Sequence, residues 1–399
     1  MILFVTNFTF VWYALASLIC LHFWFPWICS LFTYLRKISV KNRPAKPAKT
    51  ADYAIIVTAY EQTDLLPSVV KSLLELNYNR DGYLIYIVAD NCDISTLHFM
   101  DERVILLRPA AVLASNVKSH HYAITHFKRN HERLTIIDSD NLVHPDYLKE
   151  LDKTFDAGFE AVQGVRCAKN LNGIYACLDE AGDMYYRLVD RKWLFGAGSS
   201  AALSGSGMAF TVDCYQTCLK QMKLAGAGFD KLLQYKILSQ NKRIAFTEAA
   251  IVYDEKTAKP DQLVKQRARW LNTWFTFYLL GIKLLLKGII TWRWNMVLFA
   301  IALVRPPLFI LLALVFIGFS VTWFFLPSAS LIYVAALILF IINFYVALVH
   351  FKANRSIYRA LLSAPKFVFI QFMALFKVKK ANKLSVATRH FQQQKDFNR

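Results

Sequence analysis

Three long runs without a formal charge limit what this chain can fold into. Met1 to Leu35 contains no Asp, Glu, Lys or Arg, and neither do Leu308–Leu326 and Leu331–Val349. Each is long enough, as a helix, to cross a hydrocarbon layer of about 30 Å. The first reads as an anchor helix over Phe8–Leu35, with a kink expected at Pro26. A secretory signal peptide would need a basic start, a shorter apolar core and a small-residue cleavage site, and none is present. The second run is entered through Arg305-Pro306-Pro307, and a short turn around Pro327 separates it from the third.

Between these runs the composition changes. Thr50 to Asp261 mixes charged and apolar residues, and roughly 210 residues are enough to bury one full core. The formal charge of +19 would suit a nucleic-acid binder, but its placement argues otherwise. Arg36, Lys37, Lys41, Arg43, Lys46 and Lys49 follow the first apolar run without an intervening acid. Lys352, Arg355, Arg359, Lys377, Lys379, Lys380 and Lys383 follow the last. Basic residues beside spans mark the cytoplasmic side and attract anionic head groups. The expected topology therefore puts the N-terminus outside, and the globular part and C-terminus in the cytoplasm, at the plasma (inner) membrane. Membrane lipids are the expected partners and nucleic acid is not.

Two further apolar stretches are interrupted by lysine: Leu271–Ile290 by Lys283 and Lys287, and Ala360–Phe376 by Lys366. They suit helices lying in the membrane interface. The resulting organisation is an anchor over 1–35, a basic linker over 36–50 and a globular domain over 51–270. Interfacial helices follow over 271–304, then two spans over 305–350 and a basic C-terminal segment with an interfacial helix over 351–399. Seven cysteines include no CxxC pair, so free thiols in a reducing compartment are expected, with Cys214 and Cys218 on one helix face.

Within the globular part, Tyr53–Thr58, Tyr83–Asp90, Arg103–Leu107 and Leu134–Ile137 read as buried strands. Helical patterns begin at Asp64 and span Val117–Arg129. Strands alternating with helices predict an α/β domain with a mostly parallel sheet, in which ligands bind beyond the carboxyl ends of the strands. Two strands end there in acidic clusters, Asp90-Asn91 and Asp138-Ser139-Asp140-Asn141. An Asp-x-Asp after a strand offers two carboxylates to a hard divalent ion such as Mg2+ or Mn2+, leaving the remaining positions to substrate phosphates. Alone, such a pair is more often a solvated turn. Downstream, Gln266-Arg267-Ala268-Arg269-Trp270 combines a phosphate-clamping cation with an aromatic plane for a sugar ring. In isolation it is better explained by a basic-aromatic membrane belt.

The order Asp90, Asp138-x-Asp140, Asp230, Gln266-x-x-Arg269-Trp270 resembles the D, DxD, D, QxxRW signature of membrane-bound family 2 glycosyltransferases, the group of cellulose and hyaluronan synthases and ceramide glucosyltransferase. Val57-Thr58-Ala59-Tyr60-Glu61 is similar to the turn after the family's first strand, and Val88–Cys92 to the end of its second. Gly205-Ser206-Gly207-Met208 resembles the loop beside the donor sugar, and Arg243–Phe246 with Ile251–Asp254 the segment before QxxRW. The resemblance runs from Tyr53 to Trp270. It implies a GT-A fold and a metal-dependent, inverting transfer from a nucleotide sugar, most often a UDP-sugar, to a lipid or growing glycan. By the same resemblance Tyr60, Glu61 and Asp90 would hold the nucleoside. Lys118 would lie near the diphosphate, and Gly205 and Gly207 beside the donor. Asp138 and Asp140 would bind Mg2+ or Mn2+ and, with Asp138 foremost, the nucleotide-sugar donor. Gln266, Arg269 and Trp270 would line the acceptor and leaving-group end, and Asp230 would be the general base. The base position departs from the family's usual Glu-Asp by reading Phe229-Asp230, which leaves Glu248, Asp254 and Asp183 as other candidates. A transporter, or a non-catalytic family member serving as an assembly subunit, are the alternative classes.

Overall fold

The computed structural model describes residues 2–39, 50–220, 222 and 228–378. Most of the basic linker, and Lys379, Lys380 and Lys383, lie outside the described residues. The chain begins with helix α1 (Ile2–Ser39), continuous through Pro26. The globular part runs β1 (Tyr53–Tyr60), α2 (Leu66–Leu74), β2 (Tyr83–Asp90), β3 (Val104–Leu107), α3 (Asn116–Thr125), β4 (Arg133–Asp138), β5 (Leu142–Val143) and α4 (Tyr147–Asp156). It continues with β6 (Ala161–Ala168), α5 (Ile174–Tyr186), a π-helical segment (Arg187–Trp193), the single turn α6 (Leu194–Gly196), β7 (Met208–Thr211), α7 (Val212–Leu219), α8 (Phe229–Ser239) and β8 (Ile244–Asp254). The last helices are α9 (Pro260–Ile290), α10 (Trp294–Val304), α11 (Leu308–Phe325), α12 (Pro327–His350), α13 (Arg355–Ala360) and α14 (Ala364–Leu375).

The strands form one sheet in the order β3-β2-β1-β4-β7-β6-β8-β5. The expected parallel half, β3-β2-β1-β4, is present within a residue or two of the expected limits. Beyond it β7 runs antiparallel to both β4 and β6, β8 returns parallel to β6, and β5 closes the edge antiparallel to β8. The sheet is therefore mixed, though mostly parallel. Side chains alternate across it. Tyr53, Ile55, Val57 and Ala59 enter a core shared with α2 and α4. Ala54 and Ile56 enter a second core on the opposite face. Strands buried on both faces have to be apolar throughout, which is why β1 and β2 read as unbroken hydrophobic runs.

That second core includes Phe25 and Cys29 of α1, so the N-terminal helix is packed into the domain. The Thr33 hydroxyl lies 2.8 Å from the Cys29 carbonyl and 2.9 Å from that of Trp193. Cys214 and Cys218 stand one turn apart on α7, as their spacing implies.

Among the described residues three helices are long and apolar enough to cross a membrane: Thr9–Arg36 of α1, α9 and α12. α11 meets the same measure together with α10, from which it is bent by 73° at the Arg305-Pro306-Pro307 break. The Gln266–Trp270 stretch and the apolar residues after it are thus one helix of 31 residues, and the domain limit expected at residue 270 falls inside it.

Close approach at Gly196 predicts a paired outcome. A Cβ there would meet Thr33 at 2.4 to 3.0 Å, whereas one at Gly182, inside α5, would meet nothing within 4 Å. Gly196→Ala should lower the unfolding temperature of the detergent-purified chain, corresponding to about 1–3 kcal/mol of overpacking. Gly182→Ala should raise it, by the roughly 0.5–1 kcal/mol a helix-interior glycine costs.

Candidate active site

The parallel register brings the acidic clusters to one sheet edge. Tyr60 pairs with Asp90, and Thr58 with Asp138. Asp90 is buried, and its carboxylate accepts hydrogen bonds from the backbone N–H groups of Leu113 (2.9 Å) and Ala114 (2.7 Å). The N–H of Glu61 donates to the Asp90 carbonyl at 3.2 Å, and Asn91 Nδ2 donates to Glu61 Oε1 at 3.2 Å. Glu61, Asn91 and Ala114 all take left-handed backbone angles, with φ of 58°, 52° and 46°. Strained non-glycine residues held together in this way concentrate at functional clefts. Asp90 thus fastens the loop that leads into α3, and Lys118 stands exposed in the first turn of that helix.

Asp138 ends β4, and the loop carrying Asp140 is tied to the glycine loop by one hydroxyl. Ser206 Oγ accepts from the Asp138 N–H at 3.1 Å and donates to Asn141 Oδ1 at 2.5 Å. Gly205 and Gly207 have φ of 88° and 66°, a region L side chains rarely adopt. At Gly207 a Cβ would also press to 2.9 Å from Val252, so glycine is needed there for space as well.

Asp230 lies in the first turn of α8, with Gly228 in the left-handed conformation just before the helix. Two contacts locate it. Phe229 packs edge-on against His120, two residues past Lys118, with ring centroids 5.2 Å apart. A Cβ on Gly228 would come within 2.7 Å of both Thr273 and Phe277 on α9. The Thr273 hydroxyl in turn donates to the Arg269 carbonyl at 2.9 Å. The two residues before Asp230 thus pack against the helix bearing Lys118 and against α9 one to two turns past Arg269. The Asp230 carboxylate makes no hydrogen bond or ion pair with any described residue. On α9, Gln266 Oε1 is buried without a hydrogen-bond donor among the described residues. Trp270 is 47% exposed, with the Arg267 guanidinium 4.0 Å from its ring centre.

A buried ionic network, of which only Asp183 and Asp254 stood out in the sequence, joins these parts. Lys256, just past β8, is 3% exposed and meets three carboxylates: Glu180 at 3.2 Å, Asp254 at 3.3 Å, and Asp183. Arg166 of β6 pairs with Asp254 and donates to the Ser204 carbonyl at 2.7 Å, beside the glycine loop. Arg187 pairs with Glu180 at 3.1 Å, and Arg267 of α9 pairs with Asp179 of α5. Burial opposes the charge on Asp254, but Arg166 and Lys256 outweigh it and hold its carboxyl below the ordinary range. Asp183 is only partly buried; desolvation opposes its charge too, but Lys256 and Arg166 hold its carboxyl low. Burial prevails at Asp179 and Glu180, whose carboxyls are pushed up. The spacing of Asp179, Asp183 and Arg187 in an otherwise apolar stretch was the available signal, since residues four apart share a helix face. Glu248, outside this network, is held by Lys192 at 2.8 Å and His350 at 3.0 Å.

Among the described residues no group of three or more His, Cys, Asp or Glu is arranged to hold a metal ion. Two carboxylates on one short loop fit a hard ion that takes its other ligands from phosphate and water.

An α/β sheet of this order, with its clefts at the carboxyl edge, is a GT-A-like fold. A mannosyltransferase, PcManGT from Pyrobaculum calidifontis, solved with GDP-Man and Mn2+, superimposes with a TM-score of 0.55 at 14% identity over 92% of this chain and 99% of its own. S. aureus TarS residues 1–349, solved with UDP-GlcNAc, gives a TM-score of 0.40 at 14% identity over 59% of this chain and 66% of that one. A search of curated protein sequences gave no match. The profile of the glycosyltransferase-like family 2 matches residues 50–273, more than half of the chain, which therefore belongs to that family.

The network carries its own prediction. Lys256→Met removes the cation shared by Glu180, Asp183 and Asp254. Removing one partner of a buried pair should cost about 3–5 kcal/mol in thermal unfolding at neutral pH. Asp183 and Asp254 have depressed carboxyls in the folded chain, so their stabilisation is present above the ordinary aspartate value and lost as pH falls through the folded one. The deficit of the variant should therefore narrow as pH drops below about 4.

Proposed function

We propose that this chain transfers a sugar from a UDP-sugar to a lipid or growing glycan acceptor at the cytoplasmic membrane face, inverting the anomeric carbon. The observation that carries this reading is the placement of Asp230. It is the one candidate base without an ion pair among the described residues, and its neighbours Phe229 and Gly228 pack against Lys118's helix and α9, which supports a base near both. The other candidates are poorly suited to take a proton. Asp254 and Asp183 are ion-paired and held low, and Glu248 is bridged to Lys192 and His350.

In this reading Tyr60, Glu61 and the cleft beside Asp90 receive the nucleoside, while Lys118 faces the diphosphate. Asp138 and Asp140 would hold Mg2+ or Mn2+, which when bound supplies charge neutralisation for the departing diphosphate. Gly205 and Gly207 let the backbone approach the donor sugar. Asp230 takes the proton from an acceptor hydroxyl, whose oxygen forms the new bond from the face opposite the diphosphate as the old glycosidic bond breaks. Gln266, Arg269 and Trp270 line the acceptor side, on a helix long and apolar enough to cross a membrane. That shared helix is the support for an acceptor delivered from the lipid phase.

Two substitutions test the roles. Asp140→Ala should abolish metal-dependent turnover of radiolabelled nucleotide sugars in membrane extracts while insertion and unfolding temperature stay as in the unaltered chain. Full activity would remove the metal assignment. Asp230→Asn should keep nucleotide-sugar binding by calorimetry and lose transfer by roughly a hundred- to ten-thousandfold, the usual contribution of a positioned base. Equal loss of binding and transfer would mark Asp230 as structural. The same radiolabelled panel, run across UDP- and GDP-linked sugars, identifies the donor.

A further inference from the structure

We propose that Lys169 is a positioning residue for the aspartate pair, acting on the main chain of Asp140. The proposal rests on the reading of Asp138 and Asp140 as metal ligands. Lys169 stands half-buried one residue past β6, and its Nζ donates to the Asp140 carbonyl at 2.6 Å. Its own backbone is fixed from the other direction. The Lys169 N–H donates to the Asp254 carbonyl at 2.7 Å. The adjoining Asn170, buried, closes a reciprocal clamp on Lys256, donating from Nδ2 to its carbonyl at 3.0 Å and accepting its N–H at 2.6 Å. The ends of β6 and β8 are thus one rigid unit, and the lysine side chain reaches from it to the aspartate loop.

The loop needs such a hold. Ser206 grips Asp138 and Asn141 on either side of Asp140. An anchor on the Asp140 carbonyl restrains the main chain at that residue, and with it the direction of the Cα–Cβ bond that carries the carboxylate. Hydrogen bonds from a cation are among the stronger ones a protein makes, and ligand sets work only when held close to productive geometry.

The sign of the effect separates positioning from charge. Nζ places a positive charge beside the proposed cation site. If that charge were all that mattered, removing it would tighten metal binding, because like charges repel. A positioning role predicts the opposite. The test is titration of the detergent-purified full chain with Mn2+ alone, following free Mn2+ by electron paramagnetic resonance. Lys169→Met should raise the half-saturating Mn2+ concentration about tenfold, the scale of one lost hydrogen bond to a charged group, with no change in unfolding temperature. Lys169→Arg, which keeps a cationic donor, should bind closer to the unaltered chain. Should the methionine variant fail to fold, Lys169→Gln gives the same comparison. Unchanged or tighter Mn2+ binding in the neutral variant overturns the proposal. Where the unaltered chain binds Mn2+ and Asp140→Ala does not, unchanged or tighter binding in the neutral Lys169 variant overturns this inference and leaves the metal assignment standing. No Mn2+ binding by the unaltered chain sinks it together with the metal assignment.

Discussion

Lys256 is the point on which the rest of the structure turns. A lysine at 3% exposure is tolerable only because three carboxylates surround it, and those carboxylates are tolerable only because Arg166 and Arg187 share them. Buried charges of this kind are costly when any member is missing. The network therefore admits essentially one arrangement of its parts. Those parts come from the end of β8, the strand β6 and the helix α5, and Arg267 extends the connection to α9 through Asp179. A sheet edge and a long apolar helix are joined by ionic contacts that cannot slide.

This explains how a cleft built on loops keeps a defined shape. The aspartate loop after β4, the glycine loop before β7 and the segment between β3 and α3 all lie beyond strand ends, where backbone groups lose their ladder partners. Side chains replace the ladder: Asp90 for residues 113–114, Ser206 for Asp138 and Asn141, Arg166 for Ser204. Left-handed residues at 61, 91 and 114 persist because these bonds over-determine them.

The long apolar helices are continuous with the domain. Phe25 and Cys29 of α1 sit in the same core as Ile56 and Val88 of the sheet, and Thr33 reaches the carbonyl of Trp193. α9 passes from the ionic network into its apolar stretch without a break. In the proposed reading this rigidity is useful: an acceptor met on α9 stands at a fixed distance from a donor held at the strand ends.

Composition and order alone determined a good deal. Charge-free runs impose apolar helices because a backbone in an apolar setting has to satisfy its own hydrogen bonds. Unbroken hydrophobic strands imply a sheet covered on both faces, and an acid just past such a strand has to lie at its carboxyl edge. Asp90, Asp138 and Asp140 were legible for that reason. Arg166, Lys169, Glu180 and Lys256 were not, because a charged residue within or just past an apolar strand or helix gives no sign of its partner until the chain is folded. Glu180 and Lys256 are 76 positions apart, and only the parallel pairing of β6 with β8 and the packing of α5 bring them within 3.2 Å. The antiparallel insertion of β7 was likewise undetermined, since four residues of strand carry too little pattern to specify their neighbour. Local chemistry decided which elements form; the cost of burying charge decided how they meet.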